Sequence, residues 1–206
     1  MENRLRKSVA ARLSRYLQVA SQAAKEGMTR ISSHQISLYT GVNATQVRRD
    51  LSSFGRFGKR GSGYEIEILC ERIRDILGAR SSRSVVIVGA GRIGEALVRS
   101  GLFAEQGIEI STVFDSDPAK IGRELGALTV RPVAELAEQV KRHGAVAGVI
   151  AVPAQAAQGV ADELVRAGVG AIFNYSEALL DVPEGVSVQT LNPAVELLSA
   201  LCVQTG

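Results

Sequence analysis

The chain has 206 residues, 46% of them apolar and only 4% aromatic with no Trp, which suits two compact domains with ordinary buried cores. The formal net charge of +3 conceals an asymmetry: residues 1–80 hold 15 Lys/Arg against 7 Asp/Glu, a net +8, and residues 81–206 are net −5. A basic front half points to nucleic acid as partner of that half alone. Cys70 and Cys202 lie far apart and only two His are present, so neither a zinc site nor a disulfide scaffold is expected.

The first residues, MENRLRKSVAARL, lack a secretory apolar core. No apolar run reaches the ~18 residues that span a bilayer, so a soluble, cytoplasmic protein without metal is expected. Val9, Leu13, Leu17 and Ala20, joined by Tyr16, recur at helical spacing and predict a first helix from Leu5 to Lys25, ended by Gly27. Ser32 with Gln35 three residues on has the form of a capping box opening a short helix to Tyr39. After the Gly41-Val42 turn, Asn43 with Gln46 offers a second box and a helix to about Phe54. Two short helices around a glycine turn make a helix-turn-helix.

In the second of these helices Val47, Leu51 and Phe54 recur at inward spacing, leaving Thr45, Gln46, Arg48, Arg49 and Ser52 or Ser53 to face out. Arg pairs two-pronged with guanine and Gln with adenine in a major groove. Asn43 and the first amides of the helix can hold a phosphate. Gly55, Gly58, Gly61 and Gly63 preclude a helix, and Lys59-Arg60 at the tip predicts a β-wing suited to a narrow minor groove. Arg48-Arg49 alone would read as a solvated helix face; caps, wing and local net charge make it a reader of double-stranded DNA. A helix from about Glu65 to Leu77 follows, with Ile68, Leu69, Ile73, Ile76 and Leu77 on one face, and GARSSR (78–83) is a linker.

Beyond the linker, apolar strands alternate with helices: strands at Ser84–Val88, Ile108–Phe114, Leu128–Val130, Val146–Val152, Val169–Phe173 and Val186–Val188, and helices at Ile93–Glu105, Val133–Arg142 and Ala154–Ala167. That alternation predicts a doubly wound parallel sheet of Rossmann type. An apolar helix from Pro193 to Val203 closes the chain. The expected domains are therefore 1–80, 81–190 and a terminal helix in 191–206.

Gly89-Ala90-Gly91-Arg92-Ile93-Gly94 follows a strand and opens a helix, the context a dinucleotide fingerprint requires. The first glycine permits the tight turn, the second the approach of a pyrophosphate, and the third close packing of helix on strand. Asp115, at the end of the next strand, is placed to accept from an adenosine ribose and to repel a 2′-phosphate, favouring NAD(H) over NADP(H). Lys120 and Arg123 follow on the next loop and bear on that choice. Candidate proton donors are poorly placed: His34 lies in the DNA reader, His143 ends a surface helix, and Tyr175 lacks the downstream Lys that would lower its pKa. No catalytic residue is assigned.

With these modules in this order the chain resembles the bacterial redox-sensing repressor family Rex over essentially its full length. The resemblance rests on ARLSRYL (11–17), QVRRDLSSFGRFGKRGSGY (46–64), VGAGRIG (88–94), FDSDPAKIG (114–122), AVPAQAAQ (151–158) and FNYSEALLDVPEGVSV (173–188). It implies a homodimer with an N-terminal winged helix, a Rossmann domain and a C-terminal helix exchanged between subunits. It also implies binding to a palindromic operator, with release by NADH. By the same resemblance Gln46, Arg48, Arg49, Lys59 and Arg60 become DNA contacts. Gly89, Gly91, Gly94 and Asp115 become cofactor contacts, with Pro153 near the nicotinamide.

The chain departs from the family pattern where redox state is read: Ser100 stands where a Tyr is usual, and Asn192-Pro193 where an Asp and an aromatic are usual. Arg92, which joins that network in the family, is kept. Three readings remain open: a repressor sensing the NADH/NAD+ ratio, a related regulator with altered or lost sensing, and a small NAD-dependent oxidoreductase.

Overall fold

The computed structural model describes residues 7–55, 63–78 and 83–203. The chain divides into two compact units, Met1–Ser81 and Ser82–Gly206.

The first unit comprises α1 (Lys7–Lys25), β1 (Arg30–Ile31), α2 (Ser33–Thr40), α3 (Ala44–Ser52), β2 (Tyr64–Glu65) and α4 (Ile66–Ile76). Gly27 adopts φ +83° just past α1, a left-handed conformation that L side chains rarely take. The Ser32–Gln35 capping box forms as expected, and Gly41 closes α2 in the left-handed region. Leu13, Tyr16, Ile36, Val47, Leu51, Leu69 and Ile73 are fully buried together, so the inward stripe of α3 meets α1 and α4 in one core. Phe54 packs against that core only partly buried.

Two expectations need correction here, and a third cannot be placed. Glu65 belongs to a strand, not a helix: β2 pairs antiparallel with β1, a two-residue strand too short to leave a periodic signal. Ile68 stands exposed, and Ile66 and Cys70 take its place on the buried face of α4. The wing segment carrying Lys59 and Arg60 lies outside the described residues.

The second unit is a seven-stranded sheet in the order β5-β6-β4-β3-β7-β8-β9. Its strands are β3 (Arg83–Val88), β4 (Ile108–Asp115), β5 (Glu124–Leu125), β6 (Leu128–Pro132), β7 (Ala147–Ile150), β8 (Ala171–Asn174) and β9 (Ser187–Thr190). All pairings are parallel except the short β5–β6 edge. Its helices are α5 (Arg92–Arg99), α6 (Leu102–Glu105), α7 (Leu136–His143), α8 (Ala154–Arg166) and α9 (Pro193–Val203), with a 3₁₀ turn at Val133–Glu135. The expected single helix from Ile93 to Glu105 is broken at Gly101, whose φ of +67° no helix interior permits.

One face of the sheet packs Val86, Val88, Ile150 and Ile172 under Leu136 and Val140 of α7 and Ala161 and Leu164 of α8. The other packs Ile87, Val113 and Val149 under Leu97 and Val98 of α5. That second cover thins past β7: Phe173 on β8 is 43% exposed, and Val195, Leu197, Leu198 and Leu201 of α9 are each more than half exposed.

Candidate nucleic-acid interface and nucleotide crevice

The expected recognition helix is α3, started by Asn43, whose Oδ1 accepts from the Thr45 amide at 2.8 Å. Its outward side chains are not a uniform solvated row. Thr45 and Arg48 are exposed and tied together: Nη2 of Arg48 donates to Thr45 Oγ1 at 3.0 Å, and Nη1 donates to Ser33 Oγ of α2 at 3.0 Å. Arg49 is exposed with no ion-pair partner among the described residues, so its guanidinium is available to an outside anion or base edge. Ser53 ends the helix and donates to the Asp50 carbonyl at 2.7 Å.

Asn43 and Gln46 do not form the expected box. Gln46 Nε2 instead donates to Asp50 Oδ1 at 2.7 Å, one turn along the same helix. Asp50, only 6% exposed, also accepts from Arg12 at 2.6 and 2.8 Å and from the Tyr16 hydroxyl at 2.8 Å. The hydrogen bonds from Arg12 hold the Asp50 carboxyl below the usual carboxylate range against the opposing effect of burial, with Gln46 and Tyr16 adding to them. A buried carboxylate of this kind stays charged only because its lone pairs are met. The sequence reading missed this network: Asp50 looks like a charge on a polar helix, and Arg12 is 38 positions away.

In the second unit the glycine loop runs from the carboxyl end of β3 into α5. β3 lies between β4 and β7, the switch point at which open α/β sheets bind ligands. Gly89 takes φ +111°, and a Cβ there would drive into the Ala151 carbonyl at the end of β7; a Cβ on Gly94 would fall on the Gly89 carbonyl. Both glycines are therefore required by packing alone. Gly91 differs: a Cβ there would meet nothing within 4 Å. Gly91 is the N-cap of α5 and offers no side-chain acceptor, so no side chain of the cap occupies the first amides of α5. Arg92 and Ile93 are exposed beside it, and Pro153 stands exposed at the start of α8, after β7.

Asp115 ends β4, 7% exposed, and its carboxylate is held by groups of the protein itself. Its Oδ2 accepts from the Ala90 amide at 2.8 Å and from Lys120 Nζ at 3.0 Å, and its Oδ1 from the Asp117 amide at 2.9 Å. Burial opposes its ionisation, but these three donors together hold the carboxyl below its usual range. The carboxylate thus pins the glycine loop to the neighbouring strand. Lys120 sets a positive charge directly against that negative one at the end of β4.

The departures from the family pattern have local structural roles. Ser100 ends α5 and donates to the Leu97 carbonyl at 2.9 Å. Asn192 Oδ1 accepts from the Ala194 and Val195 amides at 3.1 and 3.3 Å, capping α9, with Pro193 in its first turn. Among the described residues no group of three or more His, Cys, Asp or Glu could hold a metal, and no helix is long and apolar enough to cross a membrane.

Two family models match the two units: a putative DNA-binding protein N-terminus over residues 6–52, and a CoA binding domain over residues 80–178. The redox-sensing transcriptional repressor Rex of Rubrobacter xylanophilus is 42% identical over 201 residues, covering 98% of this chain and 93% of that one. The chain belongs to the redox-sensing transcriptional repressor Rex family. Rex 1 of Thermotoga maritima is 39% identical over 97% of this chain and 96% of its own length. Among solved structures, the Rex-family repressor RSP with NADH superposes with a TM-score of 0.84 at 30% identity, covering 97% of this chain and 94% of that one. RSP with NAD+ and operator DNA gives 0.82 at 33%, covering 94% and 89%. The Rex fold, a DNA-binding unit followed by a Rossmann sheet, is thus the fold of this chain.

Proposed function

We propose that this Rex-family chain is a homodimeric transcriptional repressor whose grip on a palindromic operator is set by the NAD(H) bound in its glycine-lined crevice. The observation that carries the reading is the pairing, in one chain, of two features. One is the capped helix α3 with exposed Arg48 and Arg49; the other is a loop whose Gly91 opens onto unfilled space at a helix N-terminus. RSP, its structural relative, binds NADH in one state and NAD+ with operator DNA in another.

In this reading residues 1–80 read DNA, residues 81–190 bind the dinucleotide, and the helix in 191–206 is exchanged between subunits. Arg48, Arg49 and Gln46 meet base edges, and Asn43, Thr45 and Ser53 meet the backbone. Lys59 and Arg60 enter the minor groove. The amides of Gly91, Arg92 and Ile93 hold the pyrophosphate, Ala90 and Asp115 hold the ribose side of the site, and Pro153 borders the nicotinamide. Gly89 and Gly94 shape the loop. The nicotinamide supplies only a difference in charge and ring shape between its two oxidation states. Bare α9 and half-bare Phe173 in one unit support an apolar exchange with a second copy. An operator on the chromosome puts the protein in the cytoplasm.

A catalytic role finds no support in the titratable groups. His34 stands on α2 of the other unit, and His143 ends α7, whose C-terminus leads into the amino end of β7 and not the carboxyl edge of the sheet. Tyr175 follows β8 at that edge, but burial pushes its phenol up, away from the range useful for proton transfer near neutrality.

A gel-shift titration of the selected operator with NADH and with NAD+ tests the reading. NADH is expected to release the DNA and NAD+ to leave it bound; no change with either overturns the redox-sensing part. A ligand acts only by binding the two arrangements with different free energies. One observation favours the altered-sensing alternative: Asn192 Oδ1 and Ser100 Oγ are spent on helix ends, and Arg92 has no carboxylate partner among the described residues. Calorimetry with NADH, NAD+, NADPH and ADP separates the two, since the alternative expects equal affinity for both oxidation states.

A further inference from the structure

A carboxylate can only accept hydrogen bonds, so the Gln46 amide must present its NH₂ to Asp50 and its carbonyl oxygen to the other side. Among the described residues Gln46 Oε1 has no hydrogen-bond partner, and no buried side-chain nitrogen or oxygen is left unpaired. Oε1 therefore opens to solvent. The Asp50 carboxylate cannot rotate to release the amide, because Arg12 occupies both its oxygens and Tyr16 the Oδ2 side, both from α1. The network thus fixes which end of one outward side chain of α3 faces a partner.

We propose that Asp50 is a positioning residue for base readout: held by Arg12 and Tyr16, it orients Gln46 so that Oε1 selects an amino-bearing base, adenine or cytosine, in the major groove. The proposal rests on the DNA-binding reading above and deepens it. A free Gln samples both amide orientations and discriminates poorly between donor and acceptor edges. One whose NH₂ is committed presents an acceptor first and has one N–H left. Adenine N6 meets the acceptor and N7 the remaining N–H, while cytosine N4 meets the acceptor alone.

The test uses the full-length protein and an operator selected by it from a randomised duplex library, then four versions of that operator at each position. If no sequence is selected, the DNA-binding reading itself fails. Given an operator, Gln46→Ala should abolish a preference on the order of tenfold for adenine or cytosine at one position. Asp50→Asn should relax that same position, and the double variant should lose no more there than Gln46→Ala. Which of the two bases wins tells whether the last N–H is used. Tyr16→Phe removes one donor to Asp50 but leaves the Gln46 bond. It should lower thermal stability without touching the base preference, which separates positioning from a merely structural role.

Should Asp50→Asn not fold, the wild-type protein still decides. The Gln46 side-chain amide in a ¹H–¹⁵N spectrum, assigned by its loss in Gln46→Ala, should show one proton protected from solvent exchange. A fast-exchanging amide overturns the proposal, as does a preference for guanine or thymine at that position or an Asp50→Asn variant that weakens all sequences equally.

Discussion

The two candidate sites are built on opposite principles. Around α3 the surface is made by side chains, two of them steered by neighbours: Arg48 by Ser33, and Gln46 by Asp50, which Arg12 and Tyr16 hold in turn. At the glycine loop the surface is made by removing side chains, so that main-chain amides and the carbonyls of Gly89 and Ala151 approach closely. Asp115 reaches in to tie down the Ala90 amide. A base edge varies from site to site and needs projecting groups to tell one from another. A pyrophosphate is always the same anion and needs an uncluttered ring of N–H donors.

The largest effect that would break this contrast is at Gly91. Gly91→Val should leave the second unit folded, because a Cβ there meets open space, yet abolish NAD(H) binding, more than a hundredfold by calorimetry. Retained affinity would refute the placement of the crevice. Gly94→Ala should fail differently, lowering thermal stability by about 3 kcal/mol as its methyl is forced onto the Gly89 carbonyl. At the other site Arg49→Ala should weaken specific operator binding by roughly 1–3 kcal/mol, the scale of one two-pronged base contact. A loss equal on every duplex would reassign Arg49 to a phosphate.

A smaller effect sharpens the contrast through pH. The Asp50 carboxyl titrates below its ordinary value, so its contribution to stability is present above about pH 4 and drains away as pH falls further. The gap in melting temperature between wild type and Asp50→Asn should therefore narrow on acidification below about pH 4. The smallest effect is expected at Lys120, whose ion pair with Asp115 is partly solvated. Lys120→Met should reduce affinity for NADP(H) more than for NAD(H), read as a few-fold change in their ratio.

What could be read from the residues was whatever is encoded locally. The Ser32–Gln35 box, the Gly41 turn and the strand-loop-helix fingerprint each lie within ten residues and have fixed spacing. What escaped was either too short or too distant. β1 and β5 are two residues each, below any periodic signal. Gly101 splits a helix whose apolar pattern runs on through it. Gln46 had two partners to choose between: the Asn43 N–H, three residues back, would have donated to its Oε1 and made a box, but the amide instead donates through Nε2 to the buried charge of Asp50. Its charge could stay buried only because Arg12 arrives from another helix, a pairing that spacing along the chain does not announce. Asp115 was placed correctly at a strand end, whereas its grip on Ala90 follows from the sheet order alone.

The four aliphatic side chains that α9 turns to water make dilution an input in its own right. With α9 exchanged between subunits as proposed above, the melting temperature of this molecule should climb with its own concentration. A cell that makes few copies would then hold a less durable protein as well as a scarcer one.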